Sequence, residues 1–200
     1  MSPAAPKADH EGNQTNVGAE RRTSNCRAGL RLIAAAGLTL AVTAVLYVFG
    51  RTRTPDYASS LFGRHGNEAN LLKAQLGTAL LCLAIYQLIL ALWMYRRLPG
   101  AGAAPRPVPL AHRIGGAVVL ALSLPIAYHC ITAYGVETYN ARVALHSLAG
   151  CFFYGAFAAK VLLVRSRHLP AWALPLAGGT LVSLIAILWS SAALWQLAHP

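Results

Sequence analysis

The sequence predicts an all-α polytopic membrane protein of five transmembrane helices, four forming a core bundle and the N-terminal helix lying alongside. Three observations predict it. Of the 200 residues, 56% are apolar and only 12% charged, a balance outside the range of ordinary soluble domains. Five runs, Leu32–Gly50, Ala74–Tyr95, Ile114–Val136, Val143–Ala159 and His168–Pro200, contain no Lys, Arg, Asp or Glu. Each approaches or exceeds the roughly 20 helical residues that cross a hydrocarbon core of about 30 Å. Prolines, turn formers and basic residues gather between the runs.

The elements follow in order. Residues 1–28 are polar, carry Pro, Gly, Asn and Thr, and show no apolar period, so they read as a disordered cytoplasmic tail. Arg21-Arg22 ahead of an apolar run resembles a twin-arginine signal. The run is long, however, and ends in VFGRTRTP without a small-x-small cleavage pattern, which makes helix 1, over about 30–49, a retained anchor. The link Arg51–Asn70 (RTRTPDYASSLFGRHGNEAN) is expected to hold a short interfacial helix around Tyr57–Phe62, with His65 solvated. Helix 2 covers about 71–95, and its Gln75, Tyr86 and Gln87 suit bonds across helices. Arg96–Ala111 has four prolines and two glycines and is a linker. Helix 3 spans about 110–133, with Pro125 inside it and a kink expected near Leu122–Ser123. After the turn Gly135–Asn140, helix 4 runs over about 141–166 and stops before Pro170. Helix 5 takes about 171–198, with Trp172 near one end and Trp189 and Trp195 toward the other, as in an aromatic belt. Gly77, Gly116, Gly150, Gly155, Gly178 and Gly179 would let helix backbones approach.

Net charge is +11. The basic residues lie between spans, where they orient a membrane protein and meet anionic lipid. No basic patch interleaved with aromatics occurs, which argues against nucleic acid. With the N-terminus inside, twelve Lys and Arg fall on the inner side and five on the outer. That count predicts a multi-pass protein of the cell membrane, N-terminus cytoplasmic and C-terminus outside. Cys26, Cys82, Cys130 and Cys151 form no C-x-x-C or C-x-x-C-H pattern, which leaves a zinc ribbon or covalent haem unsupported. Small packing residues are the plain reading, although Cys130 and Cys151 flank the histidines described next.

The stretch His112–His168 carries the chemistry. Ionisable groups are costly in a bilayer and tend to mark sites. His129 lies about six residues before the 3–4 turn and His146 about six after it, so both sit roughly 9 Å from the turn. Two neutral imidazoles on neighbouring antiparallel helices can hold a haem iron from both sides. Zinc would ask for three or four ligands, and these runs hold no Asp or Glu. On helix 4 the His146 face continues through Ala149, Gly150, Phe153, Phe157 and Lys160. Lys160 would neutralise a propionate or a lipid phosphate, or reach for the interface. His112 and His168 form a second pair near the other surface, out of level by several ångström. Against the ligand reading stand capping, interfacial anchoring and hydrogen bonds from the histidines to Tyr128 and Tyr134.

The pattern His112-Arg113 with Gly116, then His129, then Arg142–His146 followed by Gly150, resembles membrane cytochromes with histidine-ligated b-type haem and ferric-reductase-like transmembrane proteins. That resemblance covers helices 3 and 4. It implies haem b on His129 and His146, with His112 and His168 as further ligand positions. The segments Thr54–Arg64 and Lys73–Leu81 resemble those of uncharacterised five-helix membrane proteins of high-GC Gram-positive bacteria, over most of residues 30–198. Three functions follow as expectations. The first is an electron-transfer subunit working with a quinone or a redox partner protein. The second is a cofactor-free membrane subunit or scaffold. The third is a small transporter, which the lack of carboxylates in the spans and of an inverted repeat disfavours.

Overall fold

The computed structural model describes residues 9–166 and 169–199, with side chains from residue 26 onward. Its helices are α1 (Asp9–Thr52), α2 (Gly66–Met94), α3 (Pro107–Ala133), α4 (Ala141–Val164) and α5 (Ala173–Leu188). A π-helical segment, Trp189–Ala193, follows α5 and leads into a short α6 (Leu194–Ala198). Five helices are long and apolar enough to cross a membrane, the first being the Cys26–Thr52 part of α1. The protein is an integral membrane protein in which these spans turn most of their apolar surface outward. Leu30, Ile33, Leu40, Val45, Ile114 and Leu124 are all exposed, which is affordable only where lipid replaces water.

Local sequence explains the boundaries. Pro107 opens α3 at a position where a missing N–H costs nothing. Asn140 caps α4, its side chain accepting from the Val143 N–H at 2.9 Å. Between α3 and α4, Gly135 adopts φ +71° and lies against the Gly50 carbonyl. The Val136 N–H donates to that same carbonyl at 3.1 Å. Arg51 adds a bond to the Val136 carbonyl at 3.2 Å and an ion pair with Glu137 at 3.6 Å. The end of α1 is thereby fastened to the α3–α4 turn.

Packing orders the helices as α1, α4, α5, α2, α3, each backbone against the next. One core joins α2, α3, α4 and α5 through Leu80, Ala84, Val119, Ala149, Phe153 and Leu184, among others. α4 is the central span and the most buried of the five, whereas α1 is the most exposed. α1 reaches the bundle mainly through α4. Gly155 makes that possible: a Cβ there would run into the Thr39 carbonyl and the Thr43 hydroxyl. Ala35, Ala159 and Leu163 continue the seam. Small residues drive such contacts because lipid cancels the hydrophobic gain of burying large ones.

The bundle of four with a helix alongside agrees with the sequence expectation, and three details differ. α1 begins at Asp9 rather than near residue 30, so the helix takes in polar residues expected to be tail. No helix forms at Tyr57–Phe62. Leu61 and Arg64 instead exchange both backbone hydrogen bonds, at 2.9 and 3.0 Å, around Phe62 and Gly63 at φ 52° and 77°. Two successive positive φ values make a tight reversal that helical periodicity cannot foretell. Helices 3 and 4, expected as packed neighbours, approach one another less closely than α3 approaches α2. α3 lies on α2, and longer side chains span the gap to α4, as where the Tyr154 hydroxyl donates to the Ser123 hydroxyl at 3.0 Å.

Candidate functional site

The bundle has two ends. At the turn end lie the last turns of α1 and α3, the first turns of α2 and α4, and the π-helical segment. At the linker end lie the last turns of α2 and α4 and the first turns of α3 and α5. His129 is four residues from the end of α3 and His146 five residues into α4. Both therefore sit within about 8 Å of the turn end, level as expected, and in the company of polar groups.

His129 is nearly fully buried, at 3% exposure. Its Nε2 lies 3.3 Å from the Ser59 carbonyl in the α1–α2 link. A carbonyl only accepts, so in the neutral ring the proton is on Nε2 and the lone pair on Nδ1. That Nδ1, like the neighbouring Ser59 hydroxyl, is buried without a hydrogen-bond partner. Tyr134 meets the ring edge-on at 6.3 Å between centroids. Its hydroxyl donates to Asn70 Oδ1 at 2.9 Å rather than to the histidine, and the Lys73 ammonium caps its ring at 4.4 Å. Tyr128, the other tyrosine considered, points outward and is exposed.

His146 is held differently. Its Nδ1 lies 3.0 Å from the Ser191 hydroxyl, and that hydroxyl donates its one proton to the Ile187 carbonyl at 2.6 Å. The histidine must then donate from Nδ1, which leaves the lone pair on Nε2. The π-helical segment creates this arrangement. Within that segment the Ser191 carbonyl accepts from Arg142 at 2.7 Å, and Arg142 also lies over the Trp195 ring at 4.1 Å. Such bulges recur at functional positions.

His129 and His146 are not bonded to one another. Each has one nitrogen tied to a different element and one bearing a lone pair. Sequence reading placed the two histidines at one level. It missed Ser59, Lys73 and Ser191: a link carbonyl and a π-turn hydroxyl leave no signature, and Lys73 stands just outside a charge-free run.

His112 and Lys160 belong to the linker end. With the Gln87 amide set by its hydrogen bonds, its nitrogen donates to His112 Nδ1 and to the His112 carbonyl, both at 2.8 Å, and its oxygen accepts from the Gly116 N–H at 3.3 Å. His112 Nδ1 is thus an acceptor and the proton of the neutral ring is on Nε2, the reverse of a ring that offers a lone pair there. Gly115 makes room, since a Cβ there would collide with the Gln87 amide. His168, the remaining expected ligand, lies outside the described residues. Phe153 and Phe157 pack as core, their centroids 6.2 Å apart. All four cysteines are free thiols. Among the described residues no group of three or more His, Cys, Asp or Glu converges as a metal site.

A family model, described as a family of unknown function (DUF6529), matches residues 32–200. The chain belongs to the DUF6529 family. The matched span covers four of the transmembrane helices whole and the first from residue 32 on, and it agrees with the expected kinship to an uncharacterised membrane family. No curated protein and no solved structure matches the chain. The comparisons therefore lend no support to the cytochrome likeness of helices 3 and 4 or to a Gram-positive source for this DUF6529 member.

Proposed function

We propose that the protein is a membrane electron-transfer subunit that holds a b-type haem at the turn end through His129 and His146. The observation that supports this reading is the pair of lone pairs, on His129 Nδ1 and His146 Nε2. In each ring the other nitrogen is anchored, one to the Ser59 carbonyl and one to the Ser191 hydroxyl. A hydrogen bond on the far nitrogen is what fixes tautomer and orientation in ligating histidines. The orphaned, buried Nδ1 of His129 fits a ligand role, because an unpaired buried polar atom otherwise costs about 1–3 kcal/mol. Two imidazoles without a carboxylate suit a haem better than a bare zinc ion. Lys73 supplies positive charge for a carboxylate of the group. When bound, the haem supplies one-electron chemistry. The chain's own residues hold and orient it, and the lipid-facing spans let it trade electrons with a quinone or a redox partner.

The test is the absorbance spectrum of the protein purified in detergent after haem-supplemented expression, before and after dithionite. The expected result is a Soret band that shifts on reduction, lost in both His129→Ala and His146→Ala while far-UV circular dichroism is kept. A featureless spectrum, or full haem retention in either variant, would refute the assignment.

A second reading has its own observation. The bonds from His129 to the α1–α2 link and from His146 to the π-helical segment already give both residues a positioning task in a cofactor-free membrane subunit. On that reading each alanine variant lowers stability and changes no spectrum. We also infer, from the twelve-to-five distribution of Lys and Arg, that the turn end faces outward. A C-terminal alkaline phosphatase fusion should be active, and an inactive one would reverse the topology.

A further inference from the structure

We propose that the linker half of the bundle contains a binding site for a single small monovalent anion of halide size, held by Lys160. All four core helices meet there around a cavity of about 40 Å³, whose lining includes Gln87 of α2, Gly116 of α3, Phe157 and Lys160 of α4, and Gly178 of α5. Lys160 is directed inward, into the bundle. Residues 155, 159 and 163 of α4 face α1, whereas the Lys160 Nζ lies 4.0 Å from where a Gly178 side chain would begin. Glycine at 178 is therefore what leaves the ammonium its space.

Charge and hydrogen bonding select the ligand's sign. Lys160 makes no hydrogen bond or ion pair with any described residue. The protein has six acidic residues, Asp9, Glu11, Glu20, Asp56, Glu68 and Glu137. Asp56, Glu68 and Glu137 lie at the turn end, and the other three precede the membrane-spanning part of α1. The titratable side chain of the packed helices that feels the Lys160 charge is His112 on α3. His112 is a donor at Nε2, since its Nδ1 accepts from Gln87. Both hydrogens of the Gln87 amide are spent on His112 and its oxygen on Gly116. What remains, among the described residues, is an ammonium with three unused N–H donors beside walls that are aliphatic or aromatic except at Gln87. An uncompensated charge in such surroundings is strongly disfavoured, and an opposite charge is the direct remedy.

Volume selects the size. A water needs roughly 10–15 Å³ of probe-occupied space, and a cavity of about 150 Å³ takes up benzene. A cavity of about 40 Å³ therefore has room for a halide and its residual hydration. This site is independent of the haem reading, because it shares no residue with His129, His146 or Lys73.

The experiment is the thermal midpoint of the purified full chain in detergent, titrated with sodium bromide against sodium gluconate at matched ionic strength. Binding to the folded state alone should give a saturable rise, roughly 5 °C or more at a hundred-fold excess over the dissociation constant. Sulfate should behave as gluconate does. Lys160→Met should be more stable than the wild type in gluconate and show no bromide response. A wild-type midpoint that is the same in bromide and gluconate, or an undiminished bromide response in Lys160→Met, would overturn the proposal. Should Lys160→Met not fold, bromide retained by the wild type after desalting decides, read by X-ray fluorescence. About one per chain supports the site and none refutes it.

Discussion

Replacing Gly115 by alanine tests the linker-end packing most sharply. The new Cβ would occupy the space of the Gln87 amide, and the amide would have to leave. It would forfeit its bonds to His112 Nδ1, the His112 carbonyl and the Gly116 N–H, each worth about 1 kcal/mol net. Overpacking adds about 1–3 kcal/mol, and replacing a helical glycine returns about 1 kcal/mol. The expected cost of Gly115→Ala is therefore about 3–5 kcal/mol. Gln87→Ala alone should cost about 2–3 kcal/mol, since it leaves His112 Nδ1 unpaired and opens a hole. In the Gln87→Ala background the clash is gone, so Gly115→Ala should be neutral or stabilising by up to about 1 kcal/mol. The assay is reversible SDS unfolding in mixed micelles followed by far-UV circular dichroism, run as a double-mutant cycle. The difference between the two backgrounds, a coupling of about 3–6 kcal/mol, is the quantity to be read. If Gly115→Ala costs the same with and without Gln87, to within about 0.5 kcal/mol, the glycine is not there to receive the amide.

The remaining predictions concern the other seams. Gly155→Val should push α1 off α4. In a background without native cysteines, an Ala35→Cys/Ala159→Cys pair, buried in one cluster, should form a crosslink that the valine at least halves. Arg142→Ala removes the 2.7 Å bond to the Ser191 carbonyl and the stacking over Trp195, and should cost about 2–3 kcal/mol with a red shift in tryptophan emission. Lysine there should recover only part of the loss, because it lacks the planar fork; full recovery would assign the effect to charge alone. Glu137→Gln should cost less than about 1 kcal/mol, since the Arg51–Glu137 pair is nearly half exposed on both sides, and a larger loss would mean that the pair does more than join a surface turn.

The spans were legible in the sequence because charge is excluded from hydrocarbon whatever the neighbours are. Runs free of Lys, Arg, Asp and Glu mark the five helices to within a few residues at most ends, and Pro107, Asn140 and Gly135 are local signals with local effects. The level of His129 and His146 was legible too, as counting along two helices from a shared turn requires no tertiary knowledge. The reversal at Phe62–Gly63 and the π-helical segment were not, because each depends on a few backbone angles that hydrophobic periodicity does not encode.

The sequence by itself determined that this is a five-span membrane protein with histidines at both ends of its third helix. Only the tertiary structure decided what those histidines can do. A ring's free nitrogen depends on the partner of its other nitrogen. Those partners, Ser59, Ser191 and Gln87, come from other elements 70, 45 and 25 residues away along the chain. The same contacts give lone pairs to the turn-end histidines and an N–H to His112. The packing of α5 against α4, with glycine at 178, determined that Lys160 enters the bundle. On an isolated helix that side chain would be free to bend back toward water.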